Sequence, residues 1–383
     1  MKNKMVDNPF VMNSKIPDRY FCDRERETEE LIRLLLNGNN VVLISERRMG
    51  KTGLIYHCYE DPRLKSNYHT LFIDILQTST FREFTFLLGK EVFRVLASRG
   101  MKLITKFIQT VKSLSGTLGF DPASGMPTLD INLGDVDNPH LTLEEIFRYL
   151  ESADKPCIVA IDEFQQITEY PEKNVEAILR THIQKLSNCH MIYSGSKRHI
   201  LGEMFVSAAR PFYHSSSFIE LGVIPSEIFE GFIIKNFEDF GKEISAEEAG
   251  RIYRMFEGHT FYVQRTCNEA FNYTPRGGRC TGEIVDYAIK YILNSYAVIY
   301  RETLSVLSEK QKQLFYAIAE TGEAERITSE TFIKLHSLPS ASSVQSAARM
   351  LLQKDLITRN EEKYRVSDRY FGLWIQRMLK GDA

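Results

Sequence analysis

The sequence predicts an α/β core, a mostly parallel sheet with helices on both faces, followed by a helical segment and a small helix–hairpin module. Three observations predict it. Between residues 41 and 222, short β-branched or apolar runs alternate with helical stretches, as buried strands joined by crossover helices do. From Pro225 onward the strand-like runs disappear and helical periodicity takes over. The end of the chain reads as three helices and a two-stranded hairpin.

In chain order, a short arm with Pro9 and Pro17 leads to Asp23-Arg24-Glu25, where a helix begins and runs to about Leu36. Leu31, Ile32, Leu34 and Leu35 mark its buried face. Asn37-Gly38-Asn39-Asn40 stops it. The run Val41 to Ser45 suits a strand buried on both faces, and a helix extends from Gly50-Lys51-Thr52 to about Tyr59. His69 to Ile75 is a second strand, and Phe81 to Ser98 a second long helix. In the next stretch Leu129, Ile131 and Leu133 alternate with polar residues, and Asp121-Pro122 and Ser124-Gly125 are turn formers. A hairpin or exposed loop inserted at about 113–140 is expected there. A helix at Thr142–Ser152 precedes a third strand at Pro156–Glu163; a helix at Val175–Leu186 precedes a fourth at Cys189–Ser196. Ser216–Gly222 is a fifth. Helical patterns then cover 226–239, 246–256, 260–273 and 281–299, and afterwards 308–320, 328–337 and 341–354. The expected division is an N-terminal arm (1–19), an α/β core (20–224), a helical subdomain (225–300) and a winged helix–turn–helix (301–383).

Composition narrows the function classes. At 383 residues, with 43% hydrophobic and 26% charged residues, the chain can bury a sizeable core and is not a disordered segment. A formal charge of −2 leaves any nucleic-acid footprint to a local patch. Cys22, Cys58, Cys157, Cys189, Cys267 and Cys280 are scattered without a C-x-x-C pair, so free thiols in a reducing cytoplasm are expected rather than a disulfide framework or zinc site. MKNKMVDNPF has no apolar signal-peptide core and no run of 18 apolar residues occurs, so no membrane role is expected.

The chemistry concentrates in VVLISERRMGKTGL, residues 41–54. A turn between a buried strand and a helix offers backbone N–H groups and a positive helix end to an anion. Gly50 permits close approach, Lys51 reaches β- and γ-phosphates, and the Thr52 hydroxyl ligates Mg²⁺. Gly-Lys-Thr alone is a weak signal; its place directly after a strand and at the start of a helix strengthens it. Further on, CIVAIDEF aims Asp162 and Glu163 at the ends of the parallel strands, where open α/β sheets bind ligands. Asp162 is expected to hold Mg²⁺, through water, and Glu163 to polarise an attacking water. Ser45 stands where the first glycine of such loops belongs, at a cost of about 1–2 kcal/mol if a positive φ is needed. The serine keeps the N–H groups, the lysine and the hydroxyl, so a weakened or altered site is expected, not an abolished one.

This combination resembles the archaeal-type P-loop ATPases of the signal-transduction (STAND) class, relatives of the AAA ATPases. Their usual loop, Gly-Pro-Arg-Arg-x-Gly-Lys-Thr, stands here as Ser45-Glu46-Arg47-Arg48-Met49-Gly50-Lys51-Thr52, followed by Gly53. The double arginine is the specific part. Tyr20 to Leu31 resembles the family's aromatic-x-Gly-Arg-x-x-Glu segment, which lies near the adenine in relatives; Arg24 and Glu27 match, and Asp23 replaces glycine. In Tyr193-Ser194-Gly195-Ser196, Ser194 or Ser196 is the candidate γ-phosphate sensor, with a plain strand-end turn as the other reading. Pro211, Phe212 and Tyr213 match a Pro-Leu-Tyr-Gly-Arg segment whose arginine is here Ser215, with Arg210 as the candidate substitute. The lid's Gly-x-Pro is Gly258-His259-Thr260. These departures bear on hydrolysis more than on nucleotide binding. No guanine-reading Asn-Lys-x-Asp occurs, which favours ATP over GTP. Arg47 and Arg48 have two open readings, contact with phosphate or a neighbouring subunit, and a solvated role.

The resemblance runs from about Asn8 to the C-terminus and implies ATP with Mg²⁺ bound between core and lid, as a slow nucleotide-dependent switch. The alternative is a nucleotide-gated DNA- or protein-binding regulator with negligible turnover. In the terminal module Val344, Ala347, Ala348, Leu351 and Leu352 form the buried side of the third helix. Ser343, Gln345, Ser346 and Arg349 are outer-face candidates, with Arg359, Lys363 and Arg365 on the wing. Thirteen Lys/Arg against eleven Asp/Glu over 301–383 is modest for a dedicated DNA binder, so DNA, a protein partner and a homo-oligomer all stay open.

Overall fold

The computed structural model describes residues 8–97, 101–114, 117–120, 127–130 and 132–381. Two compact units divide the chain, Met12–Ile224 and a second that joins Met1–Val11 to Pro225–Ala383.

The first unit holds, in order, α1 (Glu25–Leu36), β1 (Val41–Ile44), α2 (Lys51–Glu60), α3 (Pro62–Lys65), β2 (His69–Asp74), α4 (Phe81–Val92) and α5 (Met101–Thr110). There follow β3 (Thr117–Phe120), β4 (Pro127–Asp130), α6 (Pro139–Glu151), β5 (Cys157–Asp162), α7 (Val175–Ile183), β6 (Cys189–Gly195), α8 (Arg198–Val206) and β7 (Ser217–Glu220). The main sheet is parallel, ordered β2-β5-β6-β1-β7. Alternation along its strands builds two cores. Val42, Leu71, Ile73, Val159, Ile161, Met191 and Tyr193 face one side, against α4, α6 and α8 residues such as Phe84, Leu143 and Phe205. Val41, Leu43, Ile158, Ala160 and Ile192 face the other, against Leu31 and Leu35 of α1 and Leu54 and Ile55 of α2. All six residues of β5 are buried, which is why its sequence reads as a continuous apolar run.

Several details depart from expectation. The helix from Phe81 stays α-helical only to Val92, and a π-helical turn, Phe93–Ala97, extends it; Ser98 lies outside the described residues. Helices α5 and α8 have no counterpart in the sequence reading. The inserted segment carries an antiparallel pair, β3 with β4. The turn formers Asp121-Pro122 and Ser124-Gly125, and Ile131, lie outside the described residues.

The second unit contains α9 (Ser226–Glu238), β8 (Glu243–Ile244), α10 (Ala246–Met255), α11 (Thr260–Tyr273), β9 (Arg279–Cys280), α12 (Gly282–Ser305) and α13 (Glu309–Thr321). It ends with β10 (Ala324–Glu325), α14 (Glu330–Leu335), α15 (Ala341–Gln353), β11 (Ile357–Asn360), β12 (Lys363–Val366) and α16 (Arg369–Lys380). Strands do not vanish after Pro225: β8 pairs with β9, and β10 joins the wing in the order β10-β12-β11. These two-residue strands are too short to leave a period in the sequence. The N-terminal arm contributes here, since Phe10 is buried among Phe232, Phe237 and Phe271, and the Asn8 amide donates to the Asn268 carbonyl at 2.9 Å. Helix α16, also unforeseen, buries Phe371 in a stack on Tyr300 at 4.3 Å and edge-on to Phe315. A capping box between Ser308 and Gln311 starts α13. All six cysteines are free and buried, and among the described residues no helix is long and apolar enough to cross a membrane.

Candidate nucleotide site

The loop from Ser45 to Gly50 leaves the C-terminal end of β1, between β6 and the edge strand β7, and enters α2. Its positive φ angles fall at Arg48 (67°) and Gly50 (94°). Ser45 is outside the left-handed region, so the anticipated cost of a serine there does not arise. Its fully buried side chain has a use instead. The hydroxyl donates to the Glu46 carbonyl at 2.7 Å and accepts from Lys51 Nζ at 2.9 Å. Lys51 Nζ also donates to the carbonyls of Ser45 (3.3 Å) and Glu46 (3.1 Å). Burial pulls the Lys51 ammonium below the ordinary lysine range, while Glu163 and Asp162 oppose that shift. Met49 is buried and the Arg47 and Arg48 side chains are exposed. Gly53 on α2 has room for a Cβ in ordinary contact with Ile16 and Phe21, and Phe21 stacks on His57 at 4.1 Å.

The ends of β5 and β6 meet this loop. Asp162, the last residue of β5, accepts from the Thr52 hydroxyl through Oδ2 at 2.8 Å. Its Oδ1 accepts from the Ser194 hydroxyl at 2.7 Å and the Glu163 N–H at 3.1 Å. Ser194 is fully buried on β6, which lies between β5 and β1. Glu163 adopts a left-handed φ of 55°, turning the chain out of the strand. Its Oε2 accepts from the Ser196 hydroxyl at 2.9 Å, the Ser196 N–H at 3.3 Å and the Gln165 amide.

The structure therefore brings together two hydrogen-bonded sets at the loop, Ser45 with Lys51, and Thr52, Asp162, Glu163, Ser194 and Ser196, with the two serines of Ser-Gly-Ser on different carboxylates. Arg24 is engaged elsewhere. At φ 69° it precedes α1, and its buried guanidinium donates to Glu27 at 2.8 Å and to the Gly222 carbonyl at 2.7 Å. Arg210 pairs with Glu176 at 2.6 Å, both half-buried, and the Ser215 hydroxyl donates to the Phe212 carbonyl at 2.7 Å. Sequence reasoning passed over two residues. Asp74 ends β2 in register with Asp162, and partial desolvation, with Asp162 and Glu163 nearby, raises its pKa. It closes the apolar run HTLFID just as Asp162 closes CIVAID, so the pattern was there to read. Gln165, two positions past Glu163, gave no such signal.

In the second unit, Gly258 has φ 73°, and a Cβ there would lie 2.5 Å from the Tyr253 hydroxyl oxygen, which excludes larger residues. His259 is buried ahead of α11, its Nδ1 3.1 Å from the Phe256 carbonyl oxygen. On the winged module Gln345, Ser346 and Arg349 are exposed along α15, whereas Ser343 is half-buried. The wing cations are occupied. Arg359 pairs with Glu362 at 2.7 Å, Lys363 with Glu323 at 2.6 Å, and Arg365 with both Glu257 and Glu323.

A parallel sheet with an anion-ready loop after β1 and paired acidic residues at the end of β5, on the far side of β6, defines a P-loop ATPase core, here followed by a winged helix. Residues 21–265 match the ATPase domain predominantly from Archaea, well over half of the chain, and residues 298–377 match a probable winged helix domain. The chain belongs to that archaeal-type ATPase family. Its fold is similar to a Walker-type ATPase of Pyrococcus abyssi, at 18% identity and TM-score 0.66, covering 96% of this chain and 99% of that one. It is also similar to the ORC2 protein of Aeropyrum pernix, solved as ADPNP–ADP complexes, at 14% identity and TM-score 0.58 over 97% and 98% of the two chains. The ORC1 protein of the same organism, solved in complex with DNA, follows at 13% identity and TM-score 0.52 over 99% and 98%. No curated protein matches the sequence.

Proposed function

We propose that the chain binds and hydrolyses ATP with Mg²⁺ and acts as a nucleotide-dependent switch made of a P-loop core (20–224), a helical lid (225–300) and a winged helix (301–383). The observation that carries the reading is that Lys51, held inside the loop by Ser45 and Glu46, opens the same helix as Thr52, whose hydroxyl bonds Asp162, itself bonded by Ser194. Lys51 is held only by neutral oxygens of Ser45 and Glu46, so a phosphate can take its ammonium at little cost. The backbone N–H groups from Glu46 to Gly53 cradle the phosphates, with Arg47 and Arg48 at the exposed rim. Ser194 fixes the orientation of the Asp162 carboxylate.

The donor set fits Mg²⁺. A hydroxyl and a carboxylate oxygen 2.8 Å apart are hard oxygen ligands, and among the described residues no group of three His, Cys, Asp or Glu forms a dedicated cage. Magnesium suits such a sparse protein set because water and phosphate complete its shell. Thr52 and Asp162 would hold it, and it supplies charge neutralisation on the phosphates. Glu163, half-buried one residue beyond Asp162, accepts the proton of the attacking water.

The test is ATP binding and steady-state hydrolysis measured together. Lys51→Ala should abolish binding, and Glu163→Gln should bind normally and stop turnover. Normal hydrolysis by Glu163→Gln would remove Glu163 as the base. A second reading, a regulator with negligible turnover whose output is DNA or protein docking by the winged helix, is favoured by Ser215 at the family's arginine position and by Arg210 being committed to Glu176. Binding without turnover in the wild type selects it.

A further inference from the structure

We propose that Ser196 and Gln165 are positioning residues that fix the Glu163 carboxylate by one oxygen and leave the other as the base; this rests on the ATPase reading above. Three donors converge on Glu163 Oε2: the Ser196 hydroxyl at 2.9 Å, the Ser196 N–H at 3.3 Å and the Gln165 side-chain amide. Those donors saturate the lone pairs of that oxygen. No described residue donates to Oε1, so Oε1 is the oxygen left to take a proton from water.

The amide of Gln165 can serve this purpose in one orientation only. A carboxylate accepts and does not donate, so Nε2 must face Glu163. The Gln165 oxygen is then directed at Gly195 and finds no hydrogen-bond partner among the described residues, although the side chain is 4% exposed. An added Cβ on Gly195 would lie 2.0 Å from that oxygen. The middle residue of Ser194-Gly195-Ser196 thus makes room for the amide that holds Glu163. The two flanking serines divide the labour, Ser194 on Asp162 and Ser196 on Glu163. A glutamate that leaves its strand at a left-handed φ of 55° has few other restraints, and these donors supply them. Ideal placement of a base matters because a displacement of about 1 Å costs on the order of 100-fold in rate.

The experiment compares Mg·ATP hydrolysis and ATP affinity for the full chain, using wild type, Ser196→Ala, Ser196→Thr, Gln165→Leu, Glu163→Gln and the double variant Ser196→Ala/Glu163→Gln. Ser196→Ala and Gln165→Leu should each lower kcat about 10-fold or more, with KM and ATP affinity held within about threefold. Ser196→Thr keeps a hydroxyl and should recover most of the rate. In the Glu163→Gln background Ser196→Ala should cause no further loss, because its effect passes through Glu163. The proposal is overturned if Ser196→Ala turns over at the wild-type rate while Glu163→Gln is inactive, or if the loss tracks ATP affinity rather than kcat. Should Gln165→Leu fail to fold, as judged by circular dichroism, the half-exposed Ser196 variants decide alone. A wild type that binds ATP without hydrolysing it removes the ATPase reading and this proposal together, an outcome distinct from an active wild type indifferent to Ser196.

Discussion

Ser45 occupies a position where relatives carry glycine, yet its backbone stays out of the left-handed region and its hydroxyl accepts from Lys51 at 2.9 Å. Restoring glycine therefore relieves no strain. Ser45→Gly should lower folding stability by about 0.5–1 kcal/mol through added chain entropy, read by urea denaturation, and should leave ATP affinity within about threefold. A gain in both would mean that the serine is strained. In the loop and just past β5, the residues whose angles do need explaining are Arg48 and Glu163, both left-handed and neither glycine. No composition or spacing announces them. Residue type indicates what a position can tolerate, whereas the angle it adopts depends on where the neighbouring strands place the chain.

At the level of elements, strands β1, β2, β5, β6 and β7 were legible because each is buried on one or both faces and so reads as an apolar run. The helices α5 and α8 were not, since each follows a segment whose polar and turn-forming residues mask the start of a period. The candidate site was legible in part. Lys51, Thr52, Asp162 and Glu163 are fixed by local motifs, while Gln165 and the split roles of Ser194 and Ser196 depend on β6 lying beside β5, which no local pattern encodes. That adjacency makes Gly195 a structural requirement. Gly195→Ala should cost about 1–3 kcal/mol by overpacking against Gln165. Adding Gln165→Ala should recover the stability in thermal denaturation without recovering turnover. The same sheet yields a pH prediction. Burial lowers the pKa of His182 on α7 and His190 on β6. A depressed histidine favours the folded state above its unfolded value of about 6.5, and that contribution is lost as pH falls through the window below it. From pH 7.5 to about 5.5 the melting temperature of wild type should therefore drop more than that of His182→Gln/His190→Gln.

On the scale of the whole molecule, the winged helix presents a charge distribution that sequence counting could not resolve. A slight excess of basic residues says nothing about which cations are free. Glu257 and Arg365 stand far apart in sequence, and their pairing exists only because the turn before α11 packs near the wing within the second unit. Lys363 pairs with Glu323 and Glu325, Arg365 with Glu257 and Glu323, and Arg359 with Glu362. Arg349 on α15 is exposed and has no ion pair among the described residues. If this module docks on duplex DNA, the salt dependence of binding should register that difference, because each cation that meets a phosphate adds about one unit to the slope of log K against log salt. Arg349→Ala should weaken binding and reduce the slope by about one. Lys363→Ala should change it little, since that ammonium already has carboxylate partners and releases no counterion of its own. Glu323→Ala should do the reverse of Arg349→Ala: it removes one carboxylate from the wing and leaves Lys363 with Glu325 and Arg365 with Glu257, so binding at low salt should tighten and the slope steepen by at most about one. Fluorescence anisotropy across a salt series separates the cases. A slope lost equally in Lys363→Ala and Arg349→Ala would mean that the wing pairs open on DNA, and a flat response in all three variants would assign the exposed α15 face to a protein partner instead.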